Sequence, residues 1–201
     1  MIRLLLAEDQ AMVRGALAAL LELEDDLTVA AQVARGDEVV AAVAEHGADV
    51  VLMDIEMPGG DGIAATAALA REHPDVRVLV LTTFARPGYL RRAMEAGAAG
   101  FLLKTAPVEE LAVAIRRVAA GERVVDPGLA AAALSEGDSP LTEREREVLA
   151  AARGGDTIAA LAARLHLSPG TVRNYLSSAM GKVGAHTRAE AVRVAEEKGW
   201  L

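Results

Sequence analysis

The chain has 201 residues, 52% of them hydrophobic but only 2% aromatic, so its cores must be built from Ala, Val and Leu, at a length that suits one large domain or two small ones. It holds no Cys, which excludes disulfides, thiolate catalysis and Cys-ligated zinc or iron–sulfur sites. The net charge of −8 is uneven: residues 138–201 carry 9 Lys+Arg against 8 Asp+Glu, about +1, leaving 12 against 21, about −9, for residues 1–137. That asymmetry points to two modules with different partners, the acidic front half being ill suited to nucleic acid. No apolar run reaches the roughly 18 residues of a membrane span, and the opening MIRLLLAEDQ is too short for a signal peptide, so a soluble cytoplasmic protein with no membrane partner is expected.

In chain order, five apolar runs have β character: 2–7, 27–34, 50–54, 76–82 and 100–104. Between them lie segments of helical spacing near 11–23, 37–46, 62–73, 87–96 and 107–120. Short continuous apolar strands alternating with helices imply βαβ units and a parallel sheet covered on both faces. The predicted fold is α/β, a five-stranded doubly wound parallel sheet of order 2-1-3-4-5, with its switch point between the first and third strands. Residues 121–140, GERVVDPGLAAAALSEGDSP, read as a linker with a short helical piece. From Leu141 the pattern is purely helical, with helices expected near 142–153, 157–165, 169–182 and 188–198. TERE (142–145) and TRAE (187–190) read as capping boxes, and SPGT (168–171) offers a Ser N-cap with Pro at the first helical position.

The strand ends carry the chemistry. The first strand runs into Glu8 and Asp9, the third ends at Asp54, the fourth at Thr82 and the fifth at Lys104. In an open α/β sheet all of these fall at the carboxyl edge, where ligands bind. Taken singly, an Asp at a strand end is more often a turn or helix cap, and Thr82 or Lys104 a surface residue; the joint arrangement is what points to a site. Three carboxylates in one small space need a compensating charge. Mg²⁺, a hard cation that takes oxygen ligands, is the natural cofactor, and Lys104 adds a second positive group. A metal, a lysine and a hydroxyl facing one carboxylate suit phosphoryl transfer, with Asp54 as the nucleophile that forms an acyl phosphate. Pro58, Gly59 and Gly60 in VVLMDIEMPGGDG are then expected to let the backbone approach the ligand.

These residues resemble the receiver domain of bacterial two-component response regulators over residues 1–120: the acid pair Glu8-Asp9, Asp54 in VLMDIEMPGGDG, Thr82 in VLTT, and Lys104 with Pro107 in FLLKTAP. The resemblance implies that Asp54 is the phospho-acceptor and that Glu8, Asp9, Asp54 and the backbone carbonyl of Glu56 hold Mg²⁺. It implies that Thr82 and Phe101 form a switch pair, Phe101 turning inward as Thr82 moves, and that a sensor histidine kinase is the phosphoryl donor. One departure is Thr105, where the family often has Asp.

In the rear part, IAALAARLHLSPGTVRNYLSSAMGKV has the spacing of a helix-turn-helix, with the turn at His166–Ser168. Val172, Leu176 and Val183 share one face of its second helix; Arg173, Asn174 and Ser177 lie on another, where an Arg and an Asn can read base edges. Thr171 and Lys182 are placed to touch phosphates. Helix pattern alone leaves a plain four-helix packing unit equally open. The motifs LTEREREVL, LSPGTVRNYL and KVGAHTRAEAV, however, resemble the LuxR-type output domain of the NarL/FixJ group over residues 141–201. The resemblance implies a recognition helix beginning near Pro169 and a last helix that supports dimerisation. The segment GGDTIAALAARL departs from the family in Asp156, Ala159 and Ala160, where a polar stretch is usual. TTFARPGYLRRAMEAGAAGFLLK also resembles the desaturase-type subgroup.

Together these readings predict a transcriptional regulator, not an enzyme, in which phosphorylation of Asp54 promotes homodimerisation and binding to promoter half-sites in DNA. Two other classes are weighed. A phosphohydrolase of the haloacid-dehalogenase type would use DIE as its nucleophile motif, but position 56 is Glu and the chain has no cap domain. A pseudo-receiver would lack an acid or the lysine; none is missing here.

Overall fold

The computed structural model describes residues 1–83, 87–135 and 139–201. The chain divides into two compact units, one that ends at Ala131 and one that runs from Ala132 to Leu201 and also takes in residues 87–89. In the first, strands β1 (Ile2–Ala7), β2 (Leu27–Val33), β3 (Val50–Asp54), β4 (Arg77–Thr82), β5 (Gly100–Leu103) and β6 (Val124–Val125) form one sheet. Its order is β2-β1-β3-β4-β5-β6, with every pairing parallel. The five expected strands stand in the expected order, and a sixth is added at the edge. Strand β6 lies in the stretch read as a linker: two valines paired with Gly100 and Phe101 are too short to show a period. Helix α6 (Pro127–Ser135) is the helical piece of that stretch, and its start is tied by the Leu129 N–H, which donates to Asp126 Oδ1 (2.9 Å). Residues 136–138 of the same stretch, and residues 84–86 of the desaturase-like segment, lie outside the described residues.

The helices are α1 (Ala11–Leu21), α2 (Val39–His46), α3 (Gly62–Glu72), α4 (Pro87–Glu95) and α5 (Val108–Ala119). The strand pleat sorts the core. Leu4 and Leu6, Val50 and Leu52, Leu79 and Leu81, and Leu102 share one face and pack with Ala18 and Leu21 of α1 and Leu111, Ile115 and Val118 of α5. The alternate residues Leu5, Val51, Met53, Val78, Val80 and Phe101 are also buried, as a sheet covered on both sides requires. Helices α2 and α3 pack against each other, with α2 on β1 and β2 and α3 on β3. Most helix ends fall one or two residues inside the expected spans; residues 36–38 form a 3₁₀ turn rather than the start of α2.

The second unit holds α7 (Glu143–Ala151), α8 (Ile158–Arg164), α9 (Pro169–Val183) and α10 (Arg188–Glu197). Its core joins Val148 and Leu149, Leu161, Val172 and Leu176, and Ala191 and Ala195, with Trp200 packed against it. The capping box of α7 is complete: Thr142 Oγ1 accepts from the Glu145 N–H, and Glu145 accepts from the Thr142 N–H. At α10 only half forms, because Glu190 reaches back to the His186 N–H (2.8 Å) instead of Thr187. Between α8 and α9 the chain turns at His166, the only described non-glycine residue with positive φ (55°), and Ser168 caps α9 with Pro169 at its first turn. Among the described residues no helix is long and apolar enough to cross a membrane.

Candidate functional site

The β1, β3, β4 and β5 ends converge because their registers match: Ala7 faces Met53, Asp54 faces Leu81, and Thr82 faces Leu103. Each strand therefore delivers its last polar group to the same edge. Lys104, one residue beyond β5, is held by its N–H, which donates to the Thr82 carbonyl (2.8 Å). Its ammonium reaches Glu8 Oε2 at 2.6 Å and Asp54 Oδ2 at 2.9 Å. Asp54 Oδ1 accepts from the Ile55 N–H (2.8 Å), and Glu8 Oε1 from the Gln10 N–H (3.2 Å). Glu8 and Asp54 are 3% and 6% exposed, whereas Asp9 is open to solvent. One carboxylate oxygen from each of the three lies within 4.8 Å of the others. Thr82 is buried at the end of β4, and Phe101 is fully buried two register pairs back, beside Val80, so its side chain already points inward.

The electrostatics follow from two buried acids sharing one lysine, with a third acid beside them. Burial pushes the Asp54 carboxyl up, against the pull of Lys104, and Asp9 adds to the rise. Burial likewise raises Glu8, with Lys104 opposing and the Asp54 charge adding to it. Burial pulls the Lys104 ammonium down, but its hydrogen bonds to Asp54 and Glu8 outweigh that and its pKa is raised. The cluster is short of positive charge. Its donors are all oxygens, a set that fits a hard divalent cation and not a soft one.

The loop from Asp54 to α3 is set by close packing. The Gly62 N–H donates to the Ile55 carbonyl (3.0 Å), and a Cβ on Gly62 would lie 2.0 Å from the Asp54 carbonyl oxygen. Only glycine lets α3 start there, and Asp61 then caps the helix by accepting from the Ile63 N–H (2.7 Å). Gly59 and Gly60, expected to let the backbone approach a ligand, also lie beside residues 35–37. A Cβ on Gly36 would meet the Gly60 oxygen at 2.3 Å, and one on Gly59 would meet Asp37 and Arg35. The Gly36 N–H donates to the Pro58 carbonyl (3.0 Å). Glu56 is exposed in this loop, two residues beyond Asp54.

In the second unit, α9 buries Val172, Leu176 and Ala179 and exposes Arg173, Asn174 and Ser177. Thr171 is half-buried; its N–H donates to Ser168 Oγ (3.0 Å) and its hydroxyl is bonded to that of Ser168 (2.8 Å). Several cations of the unit are paired, Arg144 with Glu147, Arg153 with Glu196 and Arg164 with Asp156. Arg173 has no ionic partner among the described residues. Lys182 does: its ammonium lies 2.7 Å from Oε2 of the buried Glu145. Glu145 Oε1 accepts from the Ser178 hydroxyl (2.6 Å), so this one acid ties α7 to two positions of α9. Burial alone would raise Glu145, but Lys182, Ser178 and the Thr142 N–H together hold it down at about 2. The capping role of Glu145 was visible in TERE; its second role was not, since its partners lie 33 and 37 residues away.

Residues 4–116 match the family described as the response regulator receiver domain, and residues 139–195 match the bacterial regulatory proteins of the luxR family. The chain is 46% identical over 201 residues to the uncharacterized transcriptional regulatory protein YvfU of Bacillus subtilis (strain 168), with all of both chains covered. It is 45% identical over 201 residues to the transcriptional regulatory protein DesR of the same organism, again with full coverage of both. The crystal structure of the response regulator ChrA, from a heme-sensing two-component system, is 35% identical and covers 100% of this chain and 98% of its own, with a TM-score of 0.60. An acid cluster at the carboxyl edge of a parallel sheet and a separate helix-turn-helix unit are thus the two halves of one known design: the chain belongs to the two-component response regulators that join a receiver domain to a LuxR-type DNA-binding domain.

Proposed function

We propose that this chain is a cytoplasmic transcription regulator switched by transfer of a phosphoryl group from a sensor histidine kinase to Asp54. The observation that carries the reading is the convergence of the Glu8, Asp9 and Asp54 carboxylates within 4.8 Å, with Lys104 2.9 Å from Asp54. Residues 1–120 are assigned the phosphoryl chemistry, 141–201 the DNA contact and 121–140 the connection between them.

Glu8, Asp9, Asp54 and the Glu56 carbonyl are the proposed holders of Mg²⁺, which when bound supplies positive charge to the phosphoryl oxygens. Asp54 attacks phosphorus in line, a P–O bond forming as the P–N bond to the donor imidazole breaks. Lys104, freed from part of its duty to Asp54, pairs with a phosphoryl oxygen, and Thr82 donates its hydroxyl to another. The shift of Thr82, with Phe101 packed on the same side of the sheet, carries the change to the surface and promotes homodimerisation. Two output domains then meet paired promoter half-sites, α9 entering the major groove with Arg173, Asn174 and Ser177 toward base edges and Thr171 and Lys182 toward phosphates.

The decisive test is intact-mass analysis after incubation with acetyl phosphate and Mg²⁺. One acid-labile phosphoryl group is expected on the parent chain and none on Asp54→Ala; full labelling of that variant places the chemistry elsewhere. Sedimentation with beryllofluoride is expected to move the parent toward dimer and Thr82→Ala less so; an unmoved parent removes dimerisation from the scheme.

A further inference from the structure

The acid pair of the phosphorylation site sits on a corner with little support of its own. Glu8 is anchored by its buried side chain and by its N–H, which donates to the Val33 carbonyl (3.1 Å). Asp9 is exposed, and no group among the described residues bonds its carboxylate. Gln10, at the N-cap of α1, gives no side-chain cap. The direction in which Asp9 points is therefore set by the peptide groups on either side of it. The carbonyls of Glu8 and Asp9 precede the helix and have no helical partner there.

Arg14, one turn into α1, fills that role. Its Nη1 donates to the Glu8 carbonyl at 2.5 Å and, more loosely, to the Asp9 carbonyl at 3.5 Å. Its own N–H closes the first helical bond to the Gln10 carbonyl (2.9 Å). One half-buried guanidinium thus clasps both peptide groups that carry the acids. We infer that Arg14 is a positioning residue for the divalent cation: it acts through the Glu8 and Asp9 backbone to hold the two carboxylates at the spacing a hard cation needs. The inference rests on the proposed metal role of those acids.

Charge and position pull in opposite directions here, which makes the idea testable. As a charge, Arg14, whose Nη1 lies against the Glu8 and Asp9 carbonyls, repels an incoming cation, so its removal by Coulomb's law alone tightens Mg²⁺. As a clasp, its removal loosens the ligand loop and weakens Mg²⁺; loss of such outer partners typically costs metal sites about 10–100-fold in affinity. Both contacts come from one nitrogen, so a lysine, with its charge and its donors, restores part of the clasp.

The experiment is calorimetric titration of Mg²⁺ into the full-length parent, Arg14→Ala, Arg14→Lys and Asp9→Asn. The expected result is a dissociation constant about tenfold weaker for Arg14→Ala, with Arg14→Lys between it and the parent. The Mg²⁺ needed for half-maximal labelling by acetyl phosphate should rise by the same factor, the shift falling on the Mg²⁺ requirement and not on the rate at saturation. An Arg14→Ala chain that binds Mg²⁺ as tightly as the parent, or more tightly, overturns the proposal. Should circular dichroism show Arg14→Ala unfolded, Arg14→Gln decides on the same criterion. A parent that binds no Mg²⁺, with Asp9→Asn indistinguishable from it, overturns the metal reading itself; normal parent binding with an unaffected Arg14→Ala overturns only the clasp.

Discussion

Two buried acid–lysine sites among the described residues are built from the same parts, and they behave in opposite ways. In the receiver, Lys104 lies 2.6 Å and 2.9 Å from two carboxylates, with a third close by, and both Glu8 and Asp54 have raised pKa values. In the output domain, Lys182 lies 2.7 Å from Glu145, whose pKa falls to about 2. Burial opposes the charged acid in each case. The difference is stoichiometry. Glu145 has one lysine, one hydroxyl and one backbone N–H to itself, so its ionised form is fully met. Glu8 and Asp54 divide one lysine and repel each other, so their site is complete only when more positive charge arrives. A satisfied pair holds helices together; an unsatisfied one waits for a ligand.

Removing the acid should therefore have opposite signs at the two sites. Breaking a buried pair by deleting one partner typically costs about 3–5 kcal/mol. Lys182 is 36% exposed and regains water when left alone, so Glu145→Ala is expected below that range, at about 2–3 kcal/mol. Trp200, the only tryptophan and packed on the output core, reports this by fluorescence during urea unfolding. Asp54→Asn removes a charge that burial disfavours, so exchange of backbone amides in β1 and β3 should slow or stay level. Faster exchange there, or an unchanged Trp200 midpoint in Glu145→Ala, removes the contrast.

Acid titration sharpens the same comparison. The folded pKa of Glu145 is below its ordinary value of 4.5, so its stabilisation is whole above that pH and is lost as pH falls toward about 2. For Glu8 and Asp54 the folded values are raised, so these groups favour the fold most when protonated and that advantage is lost as pH rises through the carboxylate range. Binding a cation needs them ionised. Phosphorylation and Mg²⁺ binding should then fail at a higher pH than Trp200-reported unfolding of the output domain. Coincident acid midpoints contradict the assignment.

How much of this was legible beforehand depends on the range over which each feature is determined. The five strands showed because each is a continuous apolar run, and the site showed because the polar residue ending each run is read from its own neighbours. Strand β6 did not show, because two valines before DPG carry no periodicity and pair only once Gly100 and Phe101 are in place. The packing of Gly59 and Gly60 beside residues 35–37 did not show, because those partners come from another loop. Glu145 was seen as a cap and missed as a tie, and Arg14 was missed because its contacts are to carbonyls, which carry no sequence signature.

The smallest expected effects lie on α9, where the two basic residues differ in the way the two acid sites do. Arg173 is exposed without an ionic partner among the described residues, and an arginine in that condition on the proposed recognition helix keeps all its donors for a base edge. Arg173→Ala should lower specific affinity by about 1–3 kcal/mol and relax preference at one base position. Lys182 is already committed to Glu145, yet an ammonium has three donors and its exposed side can meet a phosphate as well. A phosphate contact of that kind contributes alike to every sequence. Lys182→Ala should lower the slope of log K against log salt by about 0.9 and leave the ratio of specific to non-specific binding almost unchanged. Glu145→Gln separates the two roles of this lysine: it releases the ammonium while keeping the side chain's size. If Lys182 touches DNA, that variant binds non-specific DNA at least as well as the parent despite its lower stability. If the lysine serves only the tie between α7 and α9, the salt slope of Lys182→Ala equals that of the parent, and the contact belongs to packing alone.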